Sequence, residues 1–95
     1  MPGYVVLSVE VLDAERYKEY ARMGTPTVTQ YGGRYLVRGG QVERRSGTWD
    51  PKRLVILEFP SIEQARAWWD SPEYRPLREL RQRTSHGSLV LTDGI

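Results

Sequence analysis

Leu54-Val55-Ile56-Leu57-Glu58-Phe59 (LVILEF) is the stretch whose reading decides the fold. Its six residues are apolar on both faces, with Glu58 as the one interruption. An antiparallel strand with one wet face alternates apolar and polar side chains, so a strand that hardly alternates belongs to a sheet covered on both sides. Alternation places Val55, Leu57 and Phe59 on one face, assigned to helices, and Leu54, Ile56 and Glu58 on the other.

Working outward from LVILEF, Ser61-Ile62-Glu63-Gln64 is a capping box. The helix it opens carries a stripe of Ile62, Ala65, Trp68 and Trp69. Ser71-Pro72 restarts the chain, a last helix is expected over 76–83, and Ser88–Thr92 reads as the final strand. Upstream, Tyr4–Val11 alternates Val5, Leu7, Val9 and Val11 onto one face of a first strand. Asp13 then caps a helix with Tyr17, Tyr20 and Ala21 as its stripe and Gly24 as its stop. Thr25-Pro26 reads as the start of a second short helical turn, ending at Gly32-Gly33. A strand over 34–39 follows, and residues 41–52 form a long hairpin connection with turns at Ser46-Gly47 and Asp50-Pro51.

The order β-α-β-β-α-β is the ferredoxin-like split motif, an α+β fold with a four-stranded antiparallel sheet and helices on one face. Something must then cover the other face of LVILEF, and a second copy of the same sheet is the economical solution, giving a two-fold dimer. Residues 1–95 are expected to form a single domain.

Composition narrows the function. The chain has no cysteine, which excludes disulfides, zinc ribbons and thiol catalysis. A net charge of +2 is too weak to imply nucleic acid by itself. The central strands also lack the K/R-G-F/Y-G/A-F pattern of stacking aromatics that RNA-binding modules of this topology carry. No segment approaches the ~20 apolar residues a membrane helix needs, and no signal peptide is visible at the start. A cytoplasmic protein that binds neither membrane nor nucleic acid is the expectation.

Several segments resemble a known family. GGRYLVRGG (Gly32–Gly40), SGTWDPKR, VILEFPS, ARAWWDSPEY, LRELR and LVLTDGI are similar to the domain of unknown function 1330 family, within the dimeric α/β-barrel superfamily of ferredoxin-like chains. The resemblance spans nearly the whole chain and implies a homodimer whose two sheets face each other to form a barrel. It implies no reaction, because the family has no established biochemical role. Superfamily neighbours include cofactor-independent monooxygenases of antibiotic biosynthesis, haem-degrading enzymes and muconolactone isomerases, and a shared fold does not by itself transfer an activity.

Arg81 is the most informative single residue. Projected on a helix, Tyr74, Leu77 and Leu80 define an apolar face, and Arg81 lies on it, while Arg75, Arg78 and Arg83 point away. A guanidinium near a core needs an anion or several carbonyl partners, and either a protein carboxylate or a ligand carboxylate would serve as the anion. Glu58 is the internal candidate; desolvated, it would alternatively have a raised pKa and serve as a general base. One of Trp68 and Trp69 is expected in the core and the other at a cleft or dimer edge, with Trp49 as an interface anchor. His86, the only histidine, falls in an expected loop before the last strand and has no metal-ligand companions at zinc-like spacing.

The glycines around Arg34–Arg38 do not form a phosphate cradle, since nucleotide fingerprints place theirs between a strand and the following helix. Here they sit where the backbone must reverse. Arg38, at a strand end, suits a pocket mouth. The expected ligand site therefore comprises Arg38, Glu58, Trp68, Tyr74 and Arg81, with no cofactor and no metal. It would bind a small anionic or aromatic metabolite beside the sheet of a homodimer. Two alternatives are a ligand-free structural module in which Arg81 and Glu58 satisfy each other, and a cofactor-independent monooxygenase- or isomerase-like enzyme.

Overall fold

The computed structural model describes residues 1–95 as β1 (Gly3–Val11), α1 (Ala14–Gln30), β2 (Arg34–Arg38), β3 (Arg53–Phe59), α2 (Ile62–Trp69), α3 (Arg75–Thr84) and β4 (Ser85–Asp93). The four strands form one sheet in the order β2-β3-β1-β4, every neighbouring pair antiparallel. This is the ferredoxin-like βαββαβ arrangement, with the second helical segment divided into α2 and α3. No helix is long and apolar enough to cross a membrane.

LVILEF lies on β3, one of the two central strands, and its faces divide as alternation requires. Val5 and Leu7 of β1 stand opposite Leu57 and Val55, and all four are buried beneath the helices. Leu54, Ile56 and Glu58 share the opposite face with Ser8, Val6 and Tyr4, their cross-strand partners, and are half-buried. The helical layer is capped as expected at two points. Asp13 accepts from the backbone N–H of Arg16 at the start of α1, and Ser61 Oγ accepts from that of Gln64 at the start of α2. Both bonds satisfy amide donors that the first helical turn leaves open.

Two local expectations differ from the structure. The break expected at Gly24-Thr25-Pro26 does not occur, and α1 runs through it. Gly24 keeps a helical backbone, because only Gly32, Gly39 and Gly47 have positive φ. Thr25 Oγ1 donates to the Ala21 carbonyl at 3.1 Å, and Thr27 Oγ1 to the Gly24 carbonyl at 2.6 Å, which knit the turn around the proline. The carbonyl that Pro26 leaves without a donor belongs to Arg22, an exposed residue, so water can serve it. The second difference is that no loop separates α3 from β4. Ser85 Oγ donates to the Arg81 carbonyl at 2.6 Å, and the backbone N–H groups of Leu12 and Asp13 donate to Thr84 O. Hydrogen bonds thus carry the chain directly into the sheet, and His86 sits on β4 opposite Glu10.

The glycines that flank β2 serve different ends. Gly32 (φ +82°) and Gly39 (φ +72°) make the two reversals. Gly33 instead allows close approach: a Cβ there would lie 2.6 Å from the Phe59 ring. Gly40 faces open space. Gly33→Ala is therefore expected to destabilise the fold by about 1–3 kcal/mol through overpacking. Gly40→Ala should stay within about 0.5 kcal/mol of wild type, as surface changes usually do. Urea unfolding of the two variants measures both.

Candidate functional site

α1 turns Tyr17, Tyr20, Gly24, Thr27 and Val28 toward the sheet, a spacing that follows the helical repeat. Tyr74, at the entry to α3, is fixed from behind: Ser71 Oγ donates to the Trp68 carbonyl at 2.8 Å and accepts from the Tyr74 backbone N–H at 3.1 Å. Trp68 is 2% exposed; its ring centre lies 4.1 Å from that of Tyr74, and its Nε1–H donates to Thr27 Oγ1 at 3.1 Å. The hydroxyls of Tyr20 and Tyr74 meet at 3.0 Å in the interior.

Arg81 projects into this layer two turns along α3 from Tyr74. It is 5% exposed, and its Nε is buried without a hydrogen-bond partner. None of the five ion pairs in the protein includes it. Burial raises the Tyr20 hydroxyl well above the usual tyrosine value, an effect the positive charge of Arg81 partly offsets. Burial raises Tyr74 as well, countered by its bond to Tyr20, by the charge of Arg81 and by a hydrogen bond from the Arg81 guanidinium. Both phenols are therefore neutral and protonated around neutral pH, beside a guanidinium that has no anion.

A cavity adjoins the two tyrosines. It is lined by Tyr20, Gly24, Tyr35, Leu57, Trp68 and Tyr74 among others, and its volume of about 20 Å³ is enough for a single water. At its β2 edge the Tyr35 hydroxyl lies 3.3 Å from Thr25 Oγ1. The Arg38 guanidinium stacks on the Tyr35 ring at 4.3 Å and donates to Thr25 Oγ1 at 2.9 Å. Arg38 and Tyr35 thus close the seam between α1 and β2.

Glu58 belongs elsewhere. It lies on the opposite face of the sheet, where it accepts from Arg34 Nε at 2.7 Å and Nη2 at 2.6 Å and from the Tyr4 hydroxyl at 3.0 Å. The bonds from Arg34, then from Tyr4, hold its carboxyl below the usual glutamate value. Two expectations are corrected together: Glu58 does not partner Arg81, and it is not a carboxyl of raised pKa. The sheet stands between the two residues. Arg81 reaches the covered face from α3, while strand alternation turns Glu58 to the open one.

Of the residues singled out from the sequence, Trp68, Tyr74 and Arg81 come together, Arg38 guards the edge of the same region, and Glu58 does not join them. Trp69 is the peripheral tryptophan, with the Arg78 guanidinium 4.8 Å from its ring centre. Trp49 is 62% exposed and lies beside Val6 and Val90 of the open face. Sequence reasoning treated Tyr20 only as part of an apolar stripe and overlooked Thr27, Tyr35 and Arg53. A tyrosine within a helical stripe is the one signal that could have marked Tyr20, since a buried phenol seeks a partner.

Fold and buried polar cluster together define a ferredoxin-like α+β protein with a tyrosine–arginine centre beneath its helices. A family model described as a domain of unknown function, DUF1330, matches residues 2–95, and the chain belongs to that family. No curated protein matches the sequence. Among solved structures, the chain is similar to RPA0582, a protein of unknown function from Rhodopseudomonas palustris, with a TM-score of 0.79 and 20% identity over 99% of this chain and 82% of that one. It is similar to a candidate antibiotic biosynthesis monooxygenase from Nitrosomonas europaea, with a TM-score of 0.65 and 20% identity over 100% and 99% of the two chains. It also resembles SnoaB, a cofactor-independent oxygenase from Streptomyces nogalater, with a TM-score of 0.60 and 10% identity over 99% and 91%. Likeness at these identities shows a shared fold.

The position of Glu58 has a pH consequence. Its folded pKa lies below the ordinary value of 4.5, so its stabilising contribution is complete above that value and is lost as pH falls through the folded pKa. Glu58→Gln removes this dependence. Urea-unfolding free energies followed from about pH 7 to about pH 3 should fall less steeply in the variant than in wild type.

Proposed function

We propose that this protein binds a small aromatic metabolite carrying an acidic group, in the layer between α1, α3 and the covered face of the sheet, and does so as a homodimer. One observation carries the reading: Arg81 is buried, its Nε has no partner, and no carboxylate pairs with it. Removing a guanidinium from water without an anion costs several kcal/mol, an expense that ordinary packing has no reason to retain. A ligand carboxylate supplies the missing partner through charge-assisted bonds, for which the planar guanidinium is suited. The bonded pair of neutral hydroxyls, Tyr20 and Tyr74, keeps one hydrogen free to donate beside it, and Trp68 offers an aromatic wall. A cavity of about 20 Å³ is too small for such a ligand, so entry requires Tyr35 and Arg38 to swing away from Thr25. Gly24, with no side chain, leaves the path at α1 unobstructed. Glu58 has no part in this site.

The dimer is supported by the open face. Val6, Leu54 and Ile56 form a half-buried apolar stripe there, and Val90 at 55% and Trp49 at 62% exposure extend it. Charges of both signs flank the stripe, with Arg34 and Glu58 at one end and Glu10 and Lys52 at the other. Such a face complements a second copy of itself. A catalytic version of the reading, a cofactor-independent oxygenase, draws on the likeness to SnoaB. The buried phenol pair beside a cation favours it, because a neutral phenol and a guanidinium can donate hydrogen bonds that stabilise the oxyanion of a bound phenolic compound.

Isothermal titration with benzoate, salicylate and 2-naphthoate tests the site. Arg81→Met is expected to weaken binding by at least about tenfold, the scale of one charge-assisted bond. The same variant should be as stable as wild type or more so, because an apolar side chain of similar length replaces an unpaired charge. Unchanged affinity, or a loss of stability of several kcal/mol, would instead make Arg81 a structural residue. For the assembly, sedimentation should give a dimer at micromolar concentration and a monomer for Val90→Glu; a monomeric wild type refutes the dimer.

A further inference from the structure

We infer that Arg53 forms a second anion subsite in the same layer, so that the ligand class is an aromatic compound with two acidic groups; the inference rests on the site proposed at Arg81. Arg53 opens β3 and stands opposite Val9 of β1, on the covered face shared with Val55 and Leu57. Its Nε, like that of Arg81, is buried and without a partner, and these two are the buried side-chain nitrogens left unsatisfied in the whole protein. No ion pair includes Arg53 either.

The surroundings hold its head group in place without neutralising it. The guanidinium carbon lies 5.8 Å from the centre of the Tyr17 ring, a cation–π distance. On its other side is Gly39, where a Cβ would run into the guanidinium; the missing side chain leaves the slot the head group occupies. Gly39 thus does more than reverse the chain at the end of β2.

The aromatic rings between the two arginines form a row. Tyr17 and Tyr20 have ring centres 5.3 Å apart, and Tyr20 and Tyr74 have theirs 6.4 Å apart. Arg53 meets the row at Tyr17, while Arg81 meets it at Tyr20 and Tyr74. The rings are inclined to one another by 43° and 64°, so the layer presents a row of aromatic rings, faces and edges together, with an anion-seeking cation toward each end. An aromatic molecule with two acidic groups complements both its apolar character and its charge. A monoacid satisfies Arg81 alone.

Rigid probes of increasing reach test this: benzoate, terephthalate and naphthalene-2,6-dicarboxylate, titrated calorimetrically into wild type, Arg53→Met, Arg53→Lys and Arg81→Met. In wild type at least one dicarboxylate should bind about tenfold or more tighter than benzoate, as a second charge-assisted bond provides. Arg53→Met should erase that preference while leaving benzoate affinity unchanged, and Arg81→Met should weaken all three. Arg53→Lys keeps the charge but loses the planar fork, so it should retain only part of the preference, and it serves if the methionine variant does not fold. Wild type that binds benzoate through Arg81 yet gains nothing from a second carboxylate overturns the Arg53 subsite and leaves the Arg81 site standing. Equal weakening of benzoate and dicarboxylates by Arg53→Met also overturns the subsite. Failure of every probe to bind wild type removes both.

Discussion

Trp68 holds the helical layer to the sheet. Its ring packs 5.6 Å from Phe59 of β3 and 4.1 Å from Tyr74 at the head of α3, and its indole N–H reaches Thr27 on α1. One side chain of α2 thereby contacts the sheet and both other helices. The indole can be this deeply buried because its single donor is satisfied, which a buried polar group requires. Thr27 completes the arrangement by donating a hydrogen bond from its own hydroxyl to the Gly24 carbonyl, so the same chain of bonds steadies α1 where Pro26 would weaken it. The stability of the layer and the placement of Tyr20 and Tyr74 have a common origin.

The sheet separates two electrostatic environments. On its open face charges are paired and half-solvated, as Arg34, Glu58 and Tyr4 illustrate. On its covered face two arginines have buried nitrogens without partners among aromatic rings. A protein selected for stability alone would place carboxylates beside them or replace them with apolar residues. Natural proteins depart from such local consistency mainly where function requires it. Glu58 and Arg81 make the contrast concrete: each was a candidate partner for the other, and each lies on the side of the sheet where the other cannot reach.

How far the sequence could be read depended on the range of the interaction. The alternation in LVILEF and in Tyr4–Val11 assigned both central strands and their faces, and the capping residues Asp13 and Ser61 located two helix starts within a residue. The Leu77 and Leu80 spacing correctly turned Arg81 inward. Pro26 misled, because a proline's lost hydrogen bond matters only where water cannot replace it, and Arg22 happens to lie on the exposed side of α1. The start of β4 was missed because Ser85 and Thr84 are tied to Arg81 and to the end of β1 by bonds that no local pattern announces.

By itself the sequence determined the strands, the starts of the first two helices, the order of the elements and the inward faces of β1, β3 and α3, since these follow from side-chain periodicity along a few consecutive residues. Family membership was also legible there, in segments spread over the whole chain. Tertiary structure alone decided which inward-facing groups meet. The Tyr20 and Tyr74 hydroxyls are 54 residues apart in sequence and 3.0 Å apart in space. That distance, like the separation of Glu58 from Arg81, is set by how α1 and α3 dock together over the sheet, and docking is a property of packed surfaces that no single segment contains.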